Sequence, residues 1–270
     1  MLNKKLLPAA VTAALLAGAS LSQAQDQPAV VTGDTFVEGF QISGNVALTT
    51  DYRFRGISQS DEDFAVEAGF DAEFGPALSL GIWGSSLDFD YNDIDIPEGH
   101  PEVGGACSGY DGSLELDYYG GWSSSIGDTD FGIDIGYIYY DYPGDDGDEG
   151  DYQEFYVGGS WRDLSLTVAY SDDYYAETDE FWYVAGDYSV GLFDTGLTLD
   201  LHVGYNMLEE DGGFLATDED AYTDYSVALT YTWASVDWSL AYVGTDLDEE
   251  DVFDTDWADD TVVFTIAKSL

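Results

Sequence analysis

Leu197-Thr198-Leu199-Asp200-Leu201-His202-Val203-Gly204-Tyr205 carries an apolar or aromatic side chain at every odd position and a polar or small one at every even position. Successive side chains of a β-strand leave opposite faces of the sheet, so this stretch shows hydrocarbon to one side and Thr, Asp, His and Gly to the other. The period is two, which argues against a helix. Runs of the same kind recur about twelve times along the chain. An outward oily face and an inward wet face, repeated this often, is the pattern of a transmembrane antiparallel up-and-down β-barrel, an all-β fold of about twelve strands.

Taking apolar positions as outward, strands are expected at 41–55, 63–74, 77–88, 112–125, 129–141, 152–161, 164–172, 180–192, 195–207, 222–233, 235–246 and 258–269. The connections alternate in length. Gly75-Pro76, Ile126-Gly127-Asp128, Arg162-Asp163, Phe193-Asp194 and Ala234-Ser235 are tight, whereas 56–62, 89–111, 142–151, 173–179, 208–221 and 247–257 are long. Short turns on the periplasmic side and long loops outside are what an even-stranded barrel with both ends on the short-turn side requires. At about 3.3 Å per residue and a tilt near 40°, ten to twelve residues rise about 25 to 30 Å, the height of the apolar band. The aromatic residues gather near strand ends: Trp122, Trp161, Trp233 and Trp238 by tight turns, Tyr52, Tyr139, Tyr170, Trp182 and Tyr205 by long loops. Two such belts are expected to form the interfacial girdles of a membrane barrel.

The N-terminus has its own logic. Lys4-Lys5, an apolar run from Leu6 to Ala17 and the small-x-small Ser22-Gln23-Ala24 predict a cleaved signal peptide over residues 1–24, too short in its apolar core for a bilayer anchor. Residues 25–40 form a flexible periplasmic lead-in, and the barrel occupies 41–270. Cleavage leaves Arg53, Arg55, Arg162 and Lys268 as the only cations against 55 acids, a net charge of −51. Nucleic acid is excluded as a partner. A 45% hydrophobic and 16% aromatic composition argues against disorder, so the charge belongs on loops and in a lumen. The lone Cys107, in the 89–111 loop, has no cysteine partner within the chain and is read as an inert thiol.

Asn45-Val46-Ala47-Leu48-Thr49-Thr50-Asp51-Tyr52-Arg53-Phe54-Arg55-Gly56-Ile57-Ser58-Gln59-Ser60 resembles the opening strand of the TorF family of porin-like proteins of proteobacteria. Leu116-Asp117-Tyr118-Tyr119-Gly120-Gly121, Tyr139-Tyr140-Asp141-Tyr142-Pro143-Gly144, Tyr170-Ser171-Asp172-Asp173-Tyr174, Leu199 to Tyr205 and Ala258-Asp259-Asp260-Thr261-Val262-Val263-Phe264 are similar to further blocks of that family, so the resemblance spans the mature chain. It implies an outer-membrane barrel of porin type in a Gram-negative bacterium, and supplies neither a substrate nor a catalytic residue. The chain departs from the usual barrel ending, an aromatic residue read by the assembly machinery, with Leu270.

The inward register collects the candidate pore-lining residues: Asp51, Arg53, Arg55, Glu67, Asp71, Glu115, Asp117, Asp134, Glu154, Asp187, Asp200, His202, Asp224 and Asp237. A wall so charged draws cations in and repels phosphate and carboxylate solutes. The expected function is passive diffusion of small hydrophilic solutes with a cation preference; the alternative is a non-conducting structural or adhesion barrel. Arg53 and Arg55 are read first as internal counter-ions of the carboxylates and second as a constriction. The runs Asp145 to Asp151 and Asp248 to Asp251 miss the calcium-loop spacing, so no metal site and no cofactor are expected. Divalent cations are instead expected to bridge these loops to lipopolysaccharide, which with outer-membrane lipid and the assembly machinery completes the expected partners. Two histidines, His100 in a loop and His202 in the inward register, and the lack of a Gly-x-Ser-x-Gly elbow argue against an enzyme.

Overall fold

Alternation becomes architecture when each oily face can be turned to lipid and each backbone group paired. The computed structural model describes residues 39–88, 113–144, 150–209 and 213–270. Its strands are β1 (Phe40–Thr49), β2 (Arg53–Phe54), β3 (Ile57–Ser58), β4 (Ala65–Phe74), β5 (Leu78–Ser86), β6 (Leu114–Ser125), β7 (Phe131–Asp141), β8 (Tyr152–Trp161), β9 (Leu164–Ser171), β10 (Phe181–Leu192), β11 (Leu197–Met207), β12 (Ala221–Trp233), β13 (Val236–Thr245) and β14 (Thr261–Ser269). Twelve of them, all but β2 and β3, form one closed antiparallel barrel in sequence order, sealed by β1 against β14 from Asn45↔Ser269 to Thr49↔Thr265. Closure removes the free edges that lipid cannot satisfy.

The register sorts side chains row by row. Leu199, Leu229, Leu240 and Phe264 stand opposite one another across β11 to β14, all outward. The adjacent row, Thr198, Thr230, Ser239, Thr265 and Thr49, faces inward and is laced by Thr230–Ser239 and Thr265–Thr49 hydroxyl hydrogen bonds at 3.2 and 3.0 Å. Large apolar side chains such as Val66, Phe70, Leu80, Phe155, Leu166 and Val203 are more than half exposed on the outside, an outcome fatal to a water-facing sheet and natural for a lipid-facing one. The tight turns take left-handed backbone where geometry needs it: Ala234 and Ser235 have φ of 54° and 60°, the two-residue hairpin turn whose twist matches its strands.

The first strand is the main correction to the expected boundaries. Expected to run from 41 to 55, it ends at Thr49. The chain then bends into the barrel and makes a miniature hairpin, β2 with β3, through Arg55 and Gly56, both at positive φ (48° and 86°). Residues 51–58 are all buried. The expected signal peptide, most of the lead-in, and the 89–111 loop with His100 and Cys107 lie outside the described residues, as do Asp145 to Glu149.

Candidate functional site

The interior of the barrel divides along its axis. Toward the long loops it is filled by rings: Tyr52, Phe54, Trp83, Tyr140, Tyr142, Tyr152, Tyr174, Phe181, Tyr183, Tyr222 and Trp257 pack with Ile57, Ile138, Leu215 and Val252 into one buried cluster. Tyr140 and Tyr152 stack with centroids 4.3 Å apart, and Tyr174 stacks on Phe181 at 3.9 Å. Wall glycines make room for the flat rings. A side chain at Gly81 would collide with Tyr119, one at Gly136 with Tyr156, and one at Gly204 with Tyr183.

Segment 50–63 is the centre of this filling. Arg55, at the tip of the β2–β3 hairpin, reaches almost to the far side of the barrel from β1, where both oxygens of Glu154 on β8 accept from its Nη2 at 2.7 and 2.9 Å. Its guanidinium also lies 4.7, 4.7 and 4.2 Å from the ring centroids of Phe54, Phe181 and Tyr183, and Nη1 donates to the Tyr174 hydroxyl. A desolvated cation surrounded by aromatic faces and one carboxylate is held firmly, because each alternative leaves a buried charge unpaired. Arg53 binds mostly within its own segment, with Nε on Asp51 at 2.5 Å, Nη2 on Glu62 at 2.7 Å and Nη1 on the Gly56 carbonyl, and Nη1 also reaches the Asp259 carbonyl at 2.7 Å. Burial pushes the Glu62 carboxyl upward against the opposing pull of Arg53. Asp51 in turn accepts from Ser58 at 2.7 Å, and the Trp257 indole donates to Asp61 at 2.8 Å, so the 246–260 loop clasps the hairpin from above.

Asp51, Arg53 and Arg55 therefore lie on no wall strand; they belong to an inward-folded segment that carries the β2–β3 hairpin. The cause is local: the polar–apolar alternation runs through Asp51-Tyr52-Arg53-Phe54-Arg55, but within it Arg53 and Phe54 pair with Ser58 and Ile57 instead of with a wall strand. Tyr52, expected in the outer aromatic girdle, is wholly buried, its ring tilted against Trp83 with centroids 5.4 Å apart and its hydroxyl donating to Glu115. The other girdle residues, Trp122, Tyr139, Trp161, Tyr170, Trp182, Tyr205, Trp233 and Trp238, stand on the outward faces of their strands.

The remaining inward acids fall into groups. Glu67, Glu115 and Asp117 are buried beneath Tyr52. Asp187, His202 and Asp224 meet on β10 to β12, the imidazole between carboxylates at 2.7 Å (Nδ1) and 2.8 Å (Nε2), with Tyr183 and Asn206 completing the set. Both ring nitrogens facing carboxylate oxygens is an arrangement that an imidazolium satisfies. Toward the short turns Asp71, Asp134 and Asp200 are half-buried and Asp237 is buried: Asp71 accepts from Tyr119 at 2.6 Å, Asp200 from Ser189 at 2.6 Å and Asp237 from Thr232 at 2.6 Å, while Asp134 stands opposite Ser123. Their neighbours are small, among them Ser79, Gly121, Ser165, Thr198 and Ser239. Among the described residues no group of three or more His, Cys, Asp or Glu is spaced to hold a metal. Asp251 of the acidic 248–251 run caps a short 3₁₀ turn, accepting from the Asp248 N–H at 2.9 Å and from Thr217.

Sequence reasoning missed the residues that fill the outer half. Tyr140, Tyr152, Tyr174 and Tyr183 sit in inward or loop positions where a hydrated lumen would have no use for rings. That misplacement was the available signal: an inward register rich in tyrosine at one end of the strands.

A family model described as "Bacterial protein of unknown function (Gcw_chp)" matches residues 34–270, and the chain belongs to that family. Comparison with curated proteins gives no match. Among solved structures, the chain is similar to a KdgM porin, with 9% identity, 84% of this chain and 97% of that one covered and a TM-score of 0.51. It is also similar to a NanC porin (11% identity, 84% and 97% covered, TM-score 0.48) and to the Salmonella typhi outer membrane phospholipase OMPLA (9%, 84% and 90%, TM-score 0.42). At 9% identity the likeness to the KdgM porin shows the fold alone, a closed twelve-stranded antiparallel barrel like that of outer-membrane porins.

Proposed function

We propose that this barrel spans the outer membrane of a Gram-negative bacterium and passes small hydrophilic solutes by diffusion, favouring cations, with its outer mouth stopped by segment 50–63 in the conformation described. The supporting observation is the short-turn half of the interior, where Asp71, Glu73, Asp134, Asp187, Asp200 and Asp237 face inward among serine, threonine, glycine and alanine. A barrel built only to be rigid fills its bore with side chains at both ends. A recess left polar and acidic concentrates cations by its field. The TorF resemblance and the porin-like fold agree with this reading, which assigns no enzymatic step. Lipopolysaccharide, bridged by divalent cations to the acidic outer loops, is the proposed surface partner, and the periplasmic ends are the face first met by the assembly machinery.

The Arg55–Glu154 clasp favours a second reading, a closed barrel whose loops serve the cell surface. Planar-bilayer recording in a salt gradient decides between them. Cation-selective steps from the wild-type chain, or from a Glu154→Gln chain in which the clasp is loosened, support the channel. Anion selectivity overturns the assignment of the acidic recess. Silence from both chains, with heat-modifiable barrel mobility intact on a gel, hands the protein to the second reading.

A further inference from the structure

On the outer wall, a groove of about 840 Å³ crosses six neighbouring strands, β7 to β12. Its floor exists because Gly159 and Gly186, both outward, bear no side chain: a Cβ at Gly159 would meet nothing within 4 Å and one at Gly186 only the Ser165 carbonyl at 4.0 Å. They belong to one cross-strand row, Gly159, Leu166, Gly186, Val203 and Tyr225. The row nearer the short turns, Phe131, Trp161, Leu164, Tyr188, Leu201 and Val227, forms the lower lip. Five interstrand spacings make the groove about 24 Å long. That exceeds the roughly 15 Å of one hydrocarbon leaflet, so the shape suits an inclined acyl chain.

The groove also has a direction. Trp161 and Leu164 adjoin the tight turn Arg162-Asp163, whereas Leu201 lies four residues into β11 and Val227 six residues before the end of β12. It therefore climbs from the short-turn rim into the apolar band. At its foot stands a charge pair. Arg162 lies 5.0 Å from the Trp161 ring centroid and its Nε is 3.1 Å from Asp130, with both side chains more than 60% exposed. Of the four cations among the described residues, Arg53 and Arg55 are buried and Lys268 donates to the Ser235 carbonyl at 3.0 Å. An exposed ion pair has little intrinsic worth and exchanges readily for other partners.

We propose that this groove and the Arg162–Asp130 pair form a binding site for a zwitterionic glycerophospholipid of the periplasmic leaflet, with an acyl chain along Gly159 and Gly186, the phosphate on Arg162 and the headgroup ammonium on Asp130. The inference rests on the membrane assignment above. Charge complementarity selects the headgroup: guanidinium pairs with phosphate, and Asp130, within a chain this acidic, favours an ammonium beside it over a purely anionic lipid. Native mass spectrometry of the detergent-extracted barrel with added phosphatidylethanolamine or phosphatidylglycerol tests it. One retained phosphatidylethanolamine per barrel is expected, retained several-fold more than phosphatidylglycerol. Arg162→Gln and the double variant Gly159→Leu, Gly186→Leu should each lower retention several-fold. Asp130→Asn should narrow the preference over phosphatidylglycerol, and Lys268→Gln should change nothing. Equal retention by wild type and both groove variants, no retained lipid, a preference for phosphatidylglycerol, or equal loss in Lys268→Gln overturns the site. So does a wild-type dimer that the glycine variants dissociate, since the groove would then belong to a second copy. A chain that failed to enter vesicles at all would sink the membrane assignment itself; an inserted barrel without the adduct sinks only the lipid site.

Discussion

The two halves of the bore are made by the same twelve strands yet are chemically opposite. Near the long loops the inward residues are rings and fully buried acids, and a folded loop completes a solid core. Near the short turns most inward residues are small, and Asp71, Asp134 and Asp200 are only half-buried. The sheet alone does not decide whether a twelve-stranded barrel is open. What decides it is where the wall offers glycine to tyrosine, and where a loop is long enough to fold back. The outer half behaves as the interior of a soluble domain, with aromatic packing around the buried Arg55–Glu154 pair, and the inner half is lined by small polar residues and acids.

If segment 50–63 is what separates the halves, excising it should have the largest effect of any change. Replacing residues 51–62 by a short Gly-Ser link removes Tyr52, Phe54, Arg55 and Ile57 from the core together. Single-channel conductance is expected to rise several-fold, because the ring cluster loses its centre. A conductance no greater than that of the intact chain would mean that the outer half is closed by something else.

The next largest effect tests the clasp itself. Glu154→Ala strands the Arg55 guanidinium among rings with no carboxylate, and removing one partner of a buried pair costs roughly 3–5 kcal/mol. The urea midpoint of refolded barrel should fall accordingly. Adding Arg55→Met in the same chain should recover much of the loss, because the cation that needed a partner is gone. Failure of that recovery would show that Arg55 holds the hairpin chiefly through its ring contacts.

How these halves were written in the sequence differs. The wall was legible almost everywhere: the run 152–161 coincides with β8, and β5, diluted by Gly81, Gly84 and Ser86, still pairs on both sides. Lipid imposes a strict demand on outward positions, so alternation survives there as a clean signal. The plug was not legible, because Asp51-Tyr52-Arg53-Phe54-Arg55 alternates as well as any strand. Alternation reports that two faces differ, and says nothing of whether the oily face meets lipid or meets Tyr140 and Phe181. The contradictory cues were Gly56, placed where a two-residue turn needs positive φ, and two of the four cations among the described residues set two positions apart in an inward register. Of the candidate site, the acids of β4 to β13 alternate with the outward apolar residues, a parity that each strand's own pattern contains. Their grouping into Asp187–His202–Asp224 or Glu67–Glu115–Asp117 depended on cross-strand register, which one strand's pattern does not contain.

The halves should also differ in what they do to ions. Asparagine at Asp134 and Asp200 removes charge from the open recess, whereas glutamine and asparagine at Glu115 and Asp117 alter groups sealed beneath Tyr52. In a salt gradient the first pair of substitutions should move the reversal potential toward zero more than the second, since a solvated wall charge acts on a passing ion and a sealed one acts mainly on its neighbours. The opposite ranking would place the conducting path through the outer half and invert the comparison.

The smallest effect concerns the loop that clasps the hairpin from outside. Hydrogen bonds from the Tyr225 and Tyr242 hydroxyls, each 2.6 Å, hold the Asp260 carboxyl below the usual carboxylate range. A group whose folded-state value is depressed stabilises the folded arrangement above its unfolded value and loses that contribution as pH falls through the folded one. Docking of the 246–260 loop should therefore be complete above about pH 4 and weaken below it. Limited proteolysis within that loop is expected to quicken as pH drops through this window in the wild-type chain. In Asp260→Asn the same cleavage should be faster at neutral pH and less steeply dependent on acid, because the neutral amide keeps at best one of the two acceptor bonds. Identical profiles for the two chains would mean that Trp257 on Asp61 and the Ser58–Trp257 backbone bond anchor the loop without help from the outer rim.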